Sequence, residues 1–378
     1  MSAVRVTPLL PTYARQSVTF VRGEGCYLFD DEGQGYLDFL AGIAVVGLGH
    51  CHPAPLEAAR AQLGRLWHAS NLYWTEPMVT LASRLSDRFG GARAFFCNSG
   101  AEAVEAALKY ARKATGKAGV VALAGSFHGR TLGALSVTGQ AAKREAFEPL
   151  LPLVGFARAN DISSLAELVG PETGCIILEP VQGEGGIHPL EPSFVAAARR
   201  LADGSGAVLV LDEVQTGVGR TGTFFAWERL GVRPDAVALA KGLANGLPIG
   251  CLLVADEAPE AFAPGDHAST FGGNPVACAA ARAVCDTLTD TLLEAVEQNG
   301  EALRRGLTAL SAVSEVRGAG LMLGAELDRD AGPVVDECRE LGLLVGTAGE
   351  NVLRLTPPLV VTPAELEQAL GVLHEVLR

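Results

Sequence analysis

Five short apolar runs punctuate the middle of this 378-residue chain: "GVVALAG" at 119–125, "GCIILEP" at 174–180, "AVLVLDE" at 207–213, "AVALAK" at 236–241 and "GCLLVA" at 250–255. Each is too short for a buried helix and is bounded by glycine, proline or charge. Helical patterns such as "SFVAAARRLADGSG" separate several of them. A strand buried on both faces reads as a continuous apolar run, and strands alternating with helices form a largely parallel sheet. The expected class is therefore α/β: a large domain whose mostly parallel sheet is flanked by helices.

Around this centre the pattern changes. The first 45 residues are turn-rich, and "GCYLFDDEGQGYLDFL" predicts a hairpin about "DDEGQG". Helical patterns follow near 54–66 and 76–89. "ARAFFCNSGAEAVEAALKYARKATG" reads as a short strand, a turn and a long helix that Gly116 ends. In the last third, "NPVACAAARAVCDTL" and "LEAVEQNGEALRRGLTAL" are helical, and "VRGAGLMLGAEL" and "NVLRLTPPLVV" read as strands of a smaller α+β unit. The expected division is a 1–55 segment joining the small domain, a 56–283 large domain and a 284–378 small domain.

At 48% hydrophobic and 19% charged residues, the chain buries a sizeable core. Its net charge of -13 argues against nucleic acid or an anionic membrane as the main partner. No uncharged apolar run approaches the ~20 residues of a membrane span. "MSAVRVTPLLPTYARQSVTF" carries charge and proline but no signal-peptide core. Eight cysteines are scattered without a C-x-x-C, as expected of reduced thiols in a cytoplasmic protein. "GHCHP" at 49–53 offers adjacent His50, Cys51 and His52, which cannot easily face one ion. We expect no metal and a loop-packing role.

Three of the apolar runs end in charge, at Glu179, Asp212 and Lys241. Ligands of open α/β sheets sit beyond the carboxyl ends of the strands. A strand end that merely meets solvent also ends in charge, and Glu179 alone leaves the two readings open. Lys241 says more. The chain has five lysines against twenty-five arginines, and the other four lie between Lys109 and Lys143. A desolvated lysine can lose its proton and form a Schiff base, which a guanidinium cannot. An aspartate beside it can hold a cationic heterocycle. Those are the two groups a pyridoxal phosphate enzyme needs most. "CNSGAEAVEAA" supplies a cradle for the phosphate, with Ser99 and Gly100 at a helix N-terminus, although Ser99-x-x-Glu102 is also a plain capping box.

Competing motifs fail on context. "LVLDE" resembles a magnesium-holding strand of nucleotide hydrolases, but no G-x-x-x-x-G-K-[ST] accompanies it. "GVGRTG" at 217–222 matches a dinucleotide fingerprint, but it does not open directly from a strand into a helix, so we expect it to shape a loop beside the site. His128, in "SFHGRT", is either an acid–base group or a turn residue.

Taken in order, "NSGAEAVEAALK", "FHGRT", "EPVQGEGG", "LVLDEVQTGVGRTG", "LAKGLANGLPIG" and "STFGGNP" resemble the class III, fold-type I, pyridoxal phosphate-dependent aminotransferases over most of the chain. "AGIAVVGLGHCHP", "SNLYWTEP" and "HASTFGGNP" are most similar to the acetylornithine branch of arginine biosynthesis. The resemblance implies that Lys241 carries the cofactor and that Asp212 pairs with its ring nitrogen. It implies Glu213, Val214 and Gln215 about the ring, with Val214 packing on it and Gln215 reaching its phenolic oxygen. Ser99, Gly100 and Ala101 would hold the phosphate and Phe127 would stack. It further implies a homodimer in which Thr270 reaches the neighbour's phosphate and Ser269 lies near substrate. Ala101 and Asn245 depart from the common Thr and Gly, which implies weaker cofactor binding without a change in chemistry.

The implied cycle moves an amino group from a donor to 2-oxoglutarate. Both substrates carry carboxylates, so arginines are the natural clamps, and Arg130 and Arg354 are the candidates. The resemblance adds Glu184 as the group that masks Arg354 while an ω-amino donor reacts. The implied donor is N2-acetyl-L-ornithine. Succinyl-diaminopimelate, ornithine, 4-aminobutyrate and carrier-bound lysine stay open as donors, as does a pyridoxal phosphate aminomutase.

Overall fold

A computed structural model describes residues 8–378, and the part of the N-terminal reading that falls on residues 1–7 lies outside them. A seven-stranded sheet forms the centre, in the order Ala92–Cys97, Gly250–Ala255, Ala236–Leu239, Val208–Asp212, Thr173–Leu178, Gly119–Leu123, Val154–Ala157. All five apolar runs are strands of it. Only Gly250–Ala255 runs antiparallel to its neighbours. The edge strand Val154–Ala157 was not anticipated. It is half-buried and short, and its apolar "VGFA" follows Pro152 and is interrupted by Gly155, which obscures a strand pattern.

Helix Gly100–Thr115 packs on this sheet through Ala103, Ala106, Ala107 and Ala111, whose small side chains allow a close approach. Ser99 caps its start and Gly116, at φ 69, ends it in the left-handed conformation that favours glycine. Helix Pro192–Ser205 adds Phe194, Val195 and Ala198 to the same core. Burial of each large apolar side chain contributes about 1.5–3 kcal/mol.

The smaller unit is an antiparallel sheet in the order Val313–Ala319, Met322–Leu327, Val352–Leu355, Gly346–Thr347, with helices Asp290–Thr308, Ala331–Glu340 and Pro363–Val376. "NVLRLTPPLVV" is a strand only as far as Leu355. Beyond it two prolines lack donors, and Thr356 and Leu359 bond instead to Phe39 and Gly47 of the N-terminal segment. That segment forms the expected hairpin, Tyr27–Asp30 with Gly35–Asp38, whose edge pairs in parallel with Leu343–Leu344. Seven cysteines are buried and Cys51 is exposed. Among the described residues, no helix is long and apolar enough to cross a membrane.

Candidate active site

The carboxyl ends of the parallel strands meet the N-terminus of helix Gly100–Thr115 around a cavity of about 400 Å³. Ser99, Gly100, Ala101, Phe127, Arg130, Asp212, Val214, Gln215 and Lys241 all line it, as do Glu179 and His128. These positions are up to 142 residues apart in sequence and are gathered only because their strands are neighbours in one sheet.

Lys241 opens a short 3-10 turn and sits at φ 39, a left-handed conformation that is strained for a lysine. Part of its surface faces the cavity, and the rest is enclosed. Burial, and then the charge of Arg354, lower its pKa to about 8, against the opposing pull of Glu184, Asp212 and Glu179. A lysine in this state has a substantial neutral fraction near physiological pH, as amine chemistry requires.

Asp212 ends its strand almost fully buried. One oxygen lies 2.7 Å from His128 Nδ1, and the other accepts the Val214 N–H at 3.0 Å. A carboxylate only accepts, so Nδ1 carries the hydrogen. Burial alone would lower the His128 pKa; the hydrogen bond and charge of Asp212, with Glu179, outweigh it and raise it. His128 is therefore not merely a turn residue: it orients Asp212. Its Nε2 is buried without a partner, as is Gln215 Oε1.

Glu179 is buried, which removes the reading of a strand end meeting solvent. It accepts the Phe127 N–H at 2.9 Å and the Gly183 N–H at 3.2 Å, and burial pushes its pKa up to about 7. Phe127 has the Arg130 guanidinium 5.4 Å and the Lys143 ammonium 5.0 Å from its ring centre. A side chain at Gly100 would lie 2.7 Å from Val214, so only glycine allows the helix start and the Asp212–Gln215 segment to approach this closely. The glycine-tight helix N-terminus, the unpartnered Gln215 and His128 atoms and the neutralisable amine together fit pyridoxal phosphate.

Arg354 is buried on its strand and pairs with the Glu184 carboxylate. Burial would raise the Glu184 pKa, but the charge and hydrogen bond of Arg354 hold it below the ordinary value. Neither residue lines the cavity, but both are near enough for their charges to act on Lys241.

Other expected residues lie elsewhere. Glu213 does not line the cavity. Its carboxylate turns away and accepts the backbone N–H groups of Ala226 at 2.6 Å and Trp227 at 2.8 Å, because adjacent residues at a strand end point to opposite sides. Ser269 and Thr270 line a second cavity of about 770 Å³ with His68, Asn71 and Trp74. Ser269 still touches the first through Asn98, 3.2 Å away, whereas Thr270 is exposed. Asn245, read only as a departure, bonds both the Leu48 N–H and the Gly49 carbonyl at 2.8 Å, fastening the lysine turn to the N-terminal segment.

The alternative motifs resolve as loop structure. His50 lies 2.8 Å from Asp38, and His52 caps helix Pro53–Leu63. In "GVGRTG", Arg220 is buried and donates to the carbonyls of Leu321 and Pro357, and burial lowers its pKa to about 9. Sequence reasoning missed Asn98, which only its cavity position identifies, and Lys143, which stood among the other lysines without distinction.

The family model "Aminotransferase class-III" matches residues 11–377. Curated relatives named acetylornithine aminotransferase include one from Caldanaerobacter subterraneus subsp. tengcongensis, 49% identical over 98% of this chain and 97% of its own. Another, from Archaeoglobus fulgidus, is 47% identical over 97% of each. Among solved structures, the N-acetylornithine aminotransferase of Stenotrophomonas maltophilia K279a superposes with a TM-score of 0.84 at 36% identity, over 96% of both chains. The ornithine aminotransferase of Toxoplasma gondii ME49 gives 0.93 at 32% identity, over 98% of this chain and 92% of that one.

Proposed function

The chain belongs to the class III aminotransferases and has their fold-type I architecture, and from this we propose that it transfers the terminal amino group of N2-acetyl-L-ornithine to 2-oxoglutarate. The products are N-acetyl-L-glutamate 5-semialdehyde and L-glutamate, a step of arginine biosynthesis. Curated relatives of that name at 44–49% identity, matched over nearly the whole chain, support this donor. The family implies pyridoxal phosphate, which supplies an aldehyde that exchanges amines and a ring that accepts electrons from the reacting carbon.

Lys241 is the amine that attaches the cofactor and the base that moves the proton at the substrate carbon, and its pKa of about 8 suits both tasks. Ser99, Gly100 and Ala101 at the helix N-terminus would hold the phosphate. Asp212, oriented by His128, would pair with the ring nitrogen. Val214 and Phe127 would pack on the ring, and Gln215 would bond its phenolic oxygen. Arg130 takes the carboxylate far from the reacting carbon, the α-carboxylate of N-acetyl-L-ornithine or the γ-carboxylate of glutamate, with Ser269 nearby. Arg354 takes the α-carboxylate beside glutamate's reacting carbon, and Glu184 masks it when the ω-amine reacts.

The observation that carries the reading is the Glu184–Arg354 pair within electrostatic reach of Lys241. A site serving a dicarboxylate and an ω-amine whose reacting carbon bears only hydrogen where the dicarboxylate bears a carboxylate needs a cation that can be covered. A homodimer belongs to the same reading. It is supported by exposed Trp67, Leu72, Tyr73, Trp74 and Phe271 around the cavity that holds Thr270. Among the described residues, the N-terminal segment up to residue 55 joins the small domain with 284–378, and free thiols suit a cytoplasmic setting. The test is glutamate release from 2-oxoglutarate with a panel of amines. N-acetyl-L-ornithine should give the highest kcat/KM; a preference for ornithine or 4-aminobutyrate would overturn the donor assignment.

A further inference from the structure

Glu184 stands on a loop, residues 183–187, that lies across the small-domain sheet. In that sheet Arg317 pairs with Gly324 on the next strand, and Gly324 pairs with Arg354 on the strand beyond. Residues opposite one another in a ladder point to the same face. The two arginines therefore rise from one face, two strand spacings or about 9–10 Å apart, with a glycine between them. The loop fills this gap. A side chain at Gly324 would lie 2.8 Å from Ile187 Cβ, and Ile187 is fully buried with Val181, Met322 and Val352.

Each arginine grips a different end of the loop. Arg354 pairs with Glu184 and reaches the Gly183 carbonyl at 3.4 Å. Arg317, itself buried, donates from Nε to the Gly186 carbonyl at 2.6 Å, while Glu315, at 2.8 Å, and Glu326 hold its other side. The Gly183 N–H is fixed by Glu179. Gly186 sits at φ 107, where a side chain would also meet His188 at 2.8 Å. The backbone on both sides of Glu184 is thus pinned, and any opening of Arg354 is a swing of the Glu184 side chain about a fixed base.

We infer that Arg317 is a positioning residue for substrate selection: through Gly186, and with Gly324 as the gap the loop occupies, it sets Glu184 in its rest position on Arg354. This rests on the reading of Glu184 as the cover of Arg354. Without the anchor the loop lifts, Glu184 rests less often on Arg354, and the guanidinium becomes more available to a carboxylate. Arg317 does not line the cavity.

The test is glutarate binding to the holoenzyme by calorimetry, together with KM and kcat for each half-reaction. Arg317→Gln should tighten glutarate about tenfold, the worth of about one hydrogen bond. It should raise KM for N-acetyl-L-ornithine and leave kcat nearly unchanged. In a Glu184→Ala background, which by itself tightens glutarate, Arg317→Gln should change nothing further. Gly324→Ala, which presses on Ile187, should act in the same direction and serves if Arg317→Gln does not fold. Equal effects of Arg317→Gln in both backgrounds would overturn the inference and leave the Glu184 reading standing. Glutarate affinity unmoved by Glu184→Ala would overturn both.

Discussion

At about pH 7.5 a lysine with a pKa near 8 is about one quarter neutral, whereas an ordinary lysine is neutral about once in a thousand molecules. That ratio, roughly 240-fold, is the chemical advantage the fold confers on Lys241. It can be read directly on protein stripped of cofactor. Pyridoxal, which lacks the phosphate, is offered across a range of pH, trapped with borohydride and counted by mass spectrometry, with Lys241→Ala as the blank. The group's pKa is lowered, so its reactive neutral form accumulates as pH rises and is complete above the shifted value. Labelling should climb through pH 7, reach half its maximum near pH 8 and level off above. Burial is the larger cause of the shift and the Arg354 charge the next. Arg354→Met should therefore move the midpoint up. Glu184→Gln should move it down, because a favourable carboxylate is lost. Labelling that still rises tenfold per pH unit beyond pH 9 would refute the reasoning, as would a midpoint that falls in Arg354→Met.

Two other expectations rest on single contacts. Gly100→Ala places a carbon 2.7 Å from Val214; overpacking of this kind costs about 1–3 kcal/mol and should weaken pyridoxal phosphate binding at least tenfold, as measured by equilibrium dialysis. Asn245→Ala removes two hydrogen bonds of 2.8 Å and leaves alanine at φ 50, so chemical denaturation should show a loss of about 1–3 kcal/mol. Asn245→Gly keeps the backbone unstrained and should lose less; equal losses would assign the whole effect to the hydrogen bonds.

The central sheet and the groups at its strand ends were legible because both are local. A buried strand is a short apolar run, and Asp212 and Lys241 are each the first charge after one. The lone lysine was visible by usage, and the helix N-terminus at the cavity by a capping serine before glycine. What escaped was of two kinds. Some signals were present but misread: Glu213 follows Asp212 directly, and the alternation of a strand end already sends its carboxylate to the other side. Others do not exist in one sequence. His128 and Asp212 are 84 positions apart and meet only because the loop after Gly119–Leu123 and the end of Val208–Asp212 open on one cavity. The row Arg317, Gly324, Arg354 is likewise set by strand register, which nothing in "VRGAGLMLGAEL" or "NVLRLTPP" specifies by itself. Asn245 looked like a deviation because its partners lie nearly two hundred residues upstream.

The most direct test of the account is the visible spectrum of the purified protein loaded with pyridoxal phosphate, recorded before and after N-acetyl-L-ornithine is added without any keto acid. The account predicts a visible band that disappears with one equivalent of donor and returns on adding 2-oxoglutarate, with no such band in Lys241→Ala. A band that N-acetyl-L-ornithine leaves untouched, or one that persists unchanged in Lys241→Ala, would contradict it.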